Sequence, residues 1–158
     1  MSSRFEEVDE NVNDLLHEVR AEFFPELRQA KIKCLYDLKK RMSCGKIVLA
    51  RIMKANDLIK CLTATDGNEL DYIIMIDKVA WENVERADRI KLLRHELRHS
   101  DYDPETEKNP YKLRDHDIED FIVEVELNSE DPRWATRVTA LVETIYEQRK
   151  DDENDSEV

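Results

Sequence analysis

Glycine and proline are scarce in this chain, with two and four among 158 residues. That scarcity excludes long flexible linkers and argues against a turn-rich, all-β architecture. Cysteine is also sparse: Cys34, Cys44 and Cys61 are odd in number, widely spaced and form no CxxC pair. Such a set excludes a disulfide framework or zinc ribbon and fits the reduced thiols of a cytoplasmic protein. No apolar run approaches the ~20 residues of a membrane span. The start, Met1-Ser2-Ser3-Arg4-Phe5-Glu6-Glu7, lacks the apolar stretch of a secretory signal. A membrane partner is therefore not expected. Positive charge is in deficit, because 25 Lys and Arg face 37 Asp and Glu, giving a net charge of −12. General nucleic-acid binding needs a basic footprint and is disfavoured. The local run Arg28, Lys31, Lys33, Lys39, Lys40 and Arg41 reads as a solvated helix face.

What is present is 41% hydrophobic and 39% charged, the balance of a soluble globular protein able to bury a core. The chain reads as one domain over residues 1–150, with a helical N-terminal part over 1–44 and a core over 46–149. The acidic tail 151–158 (DDENDSEV) reads as disordered. Phe5, Val8, Val12, Leu15, Leu16 and Val19 describe one helical stripe, broken at Pro25. Leu27, Ile32, Leu35 and Leu38 continue at helical spacing to Ser43-Cys44-Gly45, where Gly45 suits a left-handed cap. Lys46–Met53 and Leu70–Asp77 read as strands. A short helix or turn is expected over Asn56–Leu62, and one or two helical turns over Val79–Val84, burying Trp81. A helix from about Asp88 to Ser100 presents Ile90, Leu93 and Leu97 to the core, with Leu92 as a second edge. A loop over Asp101–Pro110, a helix over Lys112–Leu127 and a last helix over Arg133–Arg149 complete the pattern.

The most informative residues are His95-Glu96-Leu97-Arg98-His99, an HExxH pentapeptide on a helix. Residues four apart share a helix face, so the two imidazoles can converge on one divalent cation. Glu96 points about a quarter-turn away, where its carboxylate reaches a water on the ion without becoming a ligand. Two nitrogen ligands, an adjacent general base and an open position are the requirements of a zinc peptidase. A catalytic Zn²⁺ takes a third protein ligand. The extended HExxHxxGxxH pattern is absent, since Tyr102 and Glu105 stand where Gly and His would be needed. His116 and Glu119 both remain candidates, three apart on the expected next helix; a glutamate about twenty residues past the motif also suits such sites. His17, upstream, reads as solvated. Tyr102, Tyr111 and Arg114 are near enough in sequence to act as oxyanion donors. A peptide strand adding to the edge of Leu70–Asp77 is the expected mode of substrate binding.

These motifs, with His116-Asp117-Ile118-Glu119-Asp120-Phe121 after an Asp-rich loop, resemble the phage metallopeptidase family and, more distantly, the SprT-like and Spartan-type zincins. The likeness runs over about Lys46–Ala140. It includes Ile73-Ile74-Met75-Ile76-Asp77 and Trp81 before the motif and Trp134 after it. The resemblance implies an α+β zincin-like fold, with a small sheet, an active-site helix and flanking helices. It also implies Zn²⁺ as cofactor and a peptide or protein substrate. It assigns His116 as third ligand and Phe121 as the core anchor behind it, leaving Glu119 or Asp117 to orient an imidazole. Two other readings compete: a weakly catalytic zinc-binding module for interaction or regulation, and a DNA-associated SprT-like protease.

Overall fold

The computed structural model describes residues 3–64, 67, 69–106, 109–115 and 121–156, the last three as backbone only. In chain order the elements are β1 (Phe5–Glu7), α1 (Glu10–Phe23), a 3-10 turn (Pro25–Leu27), β2 (Ile32–Asp37), β3 (Met42–Ser43), β4 (Lys46–Ile47), β5 (Ala50–Lys54), α2 (Asp57–Thr63) and β6 (Tyr72–Asp77). There follow α3 (Lys78–Glu82), α4 (Arg86–Arg98), β7 (Ser100–Tyr102), β8 (Tyr111–Leu113), α5 (Ile122–Leu127) and α6 (Trp134–Ser156). The architecture is mixed, with helices around small sheets, as an α+β chain requires.

The main sheet has the order β1-β2-β6-β5. Its inner pair, β2 and β6, is parallel, and the outer strands β1 and β5 run antiparallel to their neighbours. Period-two alternation aims Cys34 and Tyr36 of β2, Ile52 of β5, and Tyr72, Ile74 and Ile76 of β6 into one core. Helix α1 meets that core with Val12, Leu15, Leu16 and Val19, at the three- and four-residue spacing of one helix face. Helix α4 adds Leu92, Leu93 and Leu97, and α1 and α4 pack on each other. From α6, Trp134, Val138 and Val142 close the cluster. No described helix is long and apolar enough to cross a membrane.

Several expectations need correction. Phe5 belongs to an edge strand, not to the first helix, which begins at Glu10 after an extended Asp9. Leu27–Leu38 is not a helix: Ile32–Asp37 is an inner strand, hydrogen-bonded on both sides. Both strands come from the stretch expected to be helical. Spacings of three in Ile32, Leu35 and Leu38 imitate a helix, yet the buried members are Cys34 and Tyr36, and Leu38 is exposed. Gly45 caps no helix; with Cys44 at φ 51° and Gly45 at φ 77°, the pair forms the tight turn of the β3–β4 hairpin. Two positive φ values are what a two-residue hairpin demands, and glycine meets one of them without strain. Lys46–Met53 is divided between β4 and β5 rather than continuous.

Downstream, the loop expected over Asp101–Pro110 begins as strand β7, paired with β8 through Ser100↔Leu113 and Tyr102↔Tyr111. Of the helix expected over Lys112–Leu127, Lys112 and Leu113 instead belong to that ladder and Ile122–Leu127 is helical, while residues 116–120 lie outside the described ones. The last helix continues through Ser156, into the segment expected to be disordered. Within that helix, the Tyr146 hydroxyl donates to the buried Asp77 carboxylate at 2.6 Å. The short helices α2 and α3 are as expected, each capped by a side chain: Asn56 accepts from the Ile59 amide and Asp77 from the Ala80 amide.

Candidate metal centre

Helix α4 carries the pentapeptide, and its apolar residues fix the orientation of the polar ones. Leu93 and Leu97 are fully buried in the core. That leaves His95 and His99, one turn apart, half-buried on the face that lines a cleft with Glu96. Their ring centres lie 5.4 Å apart with the planes at 76°. Two imidazoles bound to one tetrahedral ion through nitrogens at about 2.1 Å have ring centres roughly 5 Å apart, so this spacing fits a shared cation.

The protonation of His99 follows from its partner. Its Nδ1 lies 2.8 Å from the Arg114 carbonyl oxygen, which can only accept, so Nδ1 carries the proton. The lone pair is then on Nε2, the nitrogen available to a metal, and a backbone carbonyl behind an imidazole is the usual orienting partner of a ligand histidine. The same junction is closed from the other side, where the Arg114 amide donates to the His99 carbonyl at 2.6 Å and the Arg114 Nε to the Arg98 carbonyl at 2.9 Å. Strand β8 thus delivers Arg114 to the C-terminus of α4, where a cation also suits the helix dipole.

Glu96 is buried, 6% exposed. Burial pushes its carboxyl up to about 7, opposed by His95 and by a backbone hydrogen bond from Ile52. The geometry of β5 explains that bond. Asp77 N donates to Leu49 O, and Ala55 N donates to Asp71 O. The odd-numbered residues therefore face β6, and the backbone groups of Ala50, Ile52 and Lys54 face outward. As β5 is the sheet's outer strand on this side, that edge borders the cleft. The cleft has a volume of about 680 Å³ and is walled by the β3–β4 hairpin, β5, α4 and the end of β8. Arg41, Arg51 and Arg114 are among its lining residues.

Phe121, expected as an anchor behind the site, is fully buried. Its ring centre lies 5.4 Å from that of His95 and 4.9 Å from that of His99, and the Arg114 guanidinium stacks over it at 4.8 Å. His116, Asp117 and Glu119, the candidates for third ligand and orienting acid, lie outside the described residues. Among the described residues, no group of three or more His, Cys, Asp and Glu is placed to hold a metal. The two histidines and their buried acid nevertheless have the donor chemistry that a hydrolytic metal requires.

The three candidate oxyanion donors separate. Arg114 lines the cleft, whereas Tyr111 faces a different depression, with Lys31 and Asp71, and Tyr102 stacks on it at 5.4 Å. The ladder explains the difference: Tyr102↔Tyr111 sits two residues farther from α4 than Ser100↔Leu113. His17 is exposed on α1 and does not line the cleft. Cys34 is buried, and Cys44 and Cys61 are exposed and free. Sequence reasoning missed the Ile52 amide, the Arg114 carbonyl and the hairpin wall. Only the last had a signal, a Cys-Gly pair between short extended segments.

Neither a curated protein nor a solved structure matches this chain. A family model does: the one described as "putative phage metallopeptidase" matches residues 2–146, an extent that includes β1 and β2 of the N-terminal part as well as the pentapeptide. The description implies a metal cofactor and peptide substrates. With nearly the whole chain matched, this protein belongs to the phage metallopeptidase family.

Proposed function

We propose that this protein is a zinc-dependent peptidase of zincin-like build, with His95, His99 and His116 as metal ligands and Glu96 as general base. The observation that carries the reading is the pairing of two imidazoles at 5.4 Å with a buried glutamate beside them and a carbonyl fixing the tautomer of one. Phe121 supports the choice of His116, five residues before it in sequence, since its own ring lies against both imidazoles. When bound, zinc supplies a water of lowered pKa and polarises a carbonyl oxygen.

The chain's own residues do the rest. Glu96, whose proton affinity burial has raised to about 7, accepts a proton at neutral pH and returns it to the leaving amine. Arg114, on the cleft wall, is the candidate donor to the developing oxyanion. The substrate lies extended along the outward edge of β5, pairing with backbone groups of that strand other than the Ile52 amide, which Glu96 takes. The edge expected earlier, that of Leu70–Asp77, is not free: β6 is paired with β2 on one side and β5 on the other.

Metal analysis by mass spectrometry and a peptide-hydrolysis assay test this together. Wild type and Glu96→Gln should each hold about one equivalent of zinc, His99→Ala should lose it, and only wild type should hydrolyse peptides. Wild type without zinc would remove the metal reading. Equal hydrolysis by wild type and Glu96→Gln would remove the mechanism. Zinc without hydrolysis in wild type would favour a binding module.

A further inference from the structure

We infer that Glu124, on α5 and outside the cleft, is a positioning residue for the metal centre: it latches α5 to α4 through the two arginines that precede the ligand histidines. The inference rests on the metal reading above. Glu124 is completely buried. Its Oε1 accepts from the Arg94 Nε at 3.0 Å and its Oε2 from an Arg98 terminal nitrogen at 3.1 Å. Arg94 also donates to the Asn128 side-chain carbonyl, one turn farther along α5. Arg94 and Arg98 immediately precede His95 and His99, so the face that grips Glu124 is next to the face that presents the imidazoles.

The geometry of the latch is directed at the site. Glu124 lies three residues after Phe121, whose ring rests on both histidines, so fixing α5 fixes Phe121 against them. One carboxylate serves two guanidiniums, and their other faces stack on Phe23 at 5.0 Å and Phe24 at 4.4 Å. Removing its charge leaves two cations side by side in apolar surroundings. Glu124 is the buried side chain within the helix, while Ile122, Val123, Val125 and Leu127 are exposed. An apolar residue at 124 would not replace the latch, because its partners are charged.

The test compares Glu124→Gln with Asp88→Asn. The latter breaks another pairing of α4, the buried Asp88 with the half-exposed Arg137 at 2.7 Å on α6, away from the histidines. Both variants are loaded with Co²⁺, and their affinity and visible d–d spectrum are recorded beside urea midpoints. Glu124→Gln should weaken Co²⁺ binding by about ten- to a hundredfold and shift the d–d bands, as loss of an orienting partner does. Asp88→Asn should lower the midpoint but leave affinity and spectrum as in wild type. Glu124→Asp, which keeps the charge, should recover part of the affinity. Should Glu124→Gln fail to fold, Arg98→Lys, which keeps a charge but loses the planar fork, should give the same spectral shift. Equal metal binding by Glu124→Gln and wild type, or equal losses in both variants, would overturn the latch alone. A wild type that binds no Co²⁺ would overturn the metal reading, and the latch with it.

Discussion

Replacing Glu96 by glutamine should stabilise the metal-free protein, and by an amount that depends on pH. Burial raises the carboxyl from its ordinary 4.5 to about 7. The folded state therefore holds the proton more tightly than the unfolded chain. This contribution to stability is fully present below 4.5 and is lost as pH rises through about 7. Each pH unit inside that window removes about 1.4 kcal/mol, so the ionised carboxylate costs the metal-free fold about 3 kcal/mol above pH 8. Glutamine has the same shape, can still accept from the Ile52 amide, and has no charge to bury. Urea denaturation of chelator-treated wild type and Glu96→Gln should show the variant more stable at both pH values. Between pH 5.5 and pH 8 its advantage should grow by about 2 kcal/mol. Zinc should shrink that advantage, because a nearby cation favours the charged carboxylate. A difference independent of pH, or a variant less stable than wild type at pH 8, would refute the reasoning.

Tyr146→Phe removes a hydrogen bond to the buried Asp77 carboxylate, and should cost about 1.5–3 kcal/mol by urea denaturation without altering metal content. Because Arg41, Arg51 and Arg114 outnumber Glu96 and Asp115 in the cleft lining, peptides with acidic side chains should be cleaved faster than basic ones. That preference should narrow as salt rises from ~0.05 to ~0.5 M. Arg51→Glu should lower kcat/KM for acidic peptides severalfold while leaving zinc content unchanged; an unchanged preference would show that the lining charges do not select substrate.

Helix α4 and strand β6 were legible because their signals are strong and local. An HExxH pentapeptide on a three- and four-residue apolar stripe points to a helix, and a short Ile-rich run bounded by Asp points to a strand. Strand β2 was misread because Ile32, Leu35 and Leu38 can be fitted to a helix, whereas its real pattern depends on Cys34 and Tyr36 facing a core built by residues far away in sequence. Phe5 was misread for a similar reason: it falls in step with Val8 and Val12, but Phe5 pairs with Asp37 across a sheet. Tertiary pairing overrode local periodicity in both. The finer parts of the site were not legible. The Arg114 carbonyl that sets the His99 tautomer, and the Ile52 amide that meets Glu96, are backbone groups, and every residue has those.

The polar residues of α4 show why a single-stripe reading understates such a helix. An ordinary amphipathic helix leaves one face to water, and Arg94 and Arg98 would then be solvated. Here Asp88, Lys91, Arg94 and Glu96 are all buried. Leucines take the core, Asp88 pairs with Arg137 of α6 and Lys91 with Asp131 just before that helix, and Arg94 and Arg98 hold Glu124 on α5. The histidines and Glu96 take the remaining face. A ligand set must be held within about 0.5 Å of its working geometry, and a helix gripped on three sides does this without loops. It follows that a charged-to-neutral change on either gripped polar face should cost more than a surface substitution, which usually falls within about 0.5 kcal/mol. Only the face toward α5 should also change how the metal is held.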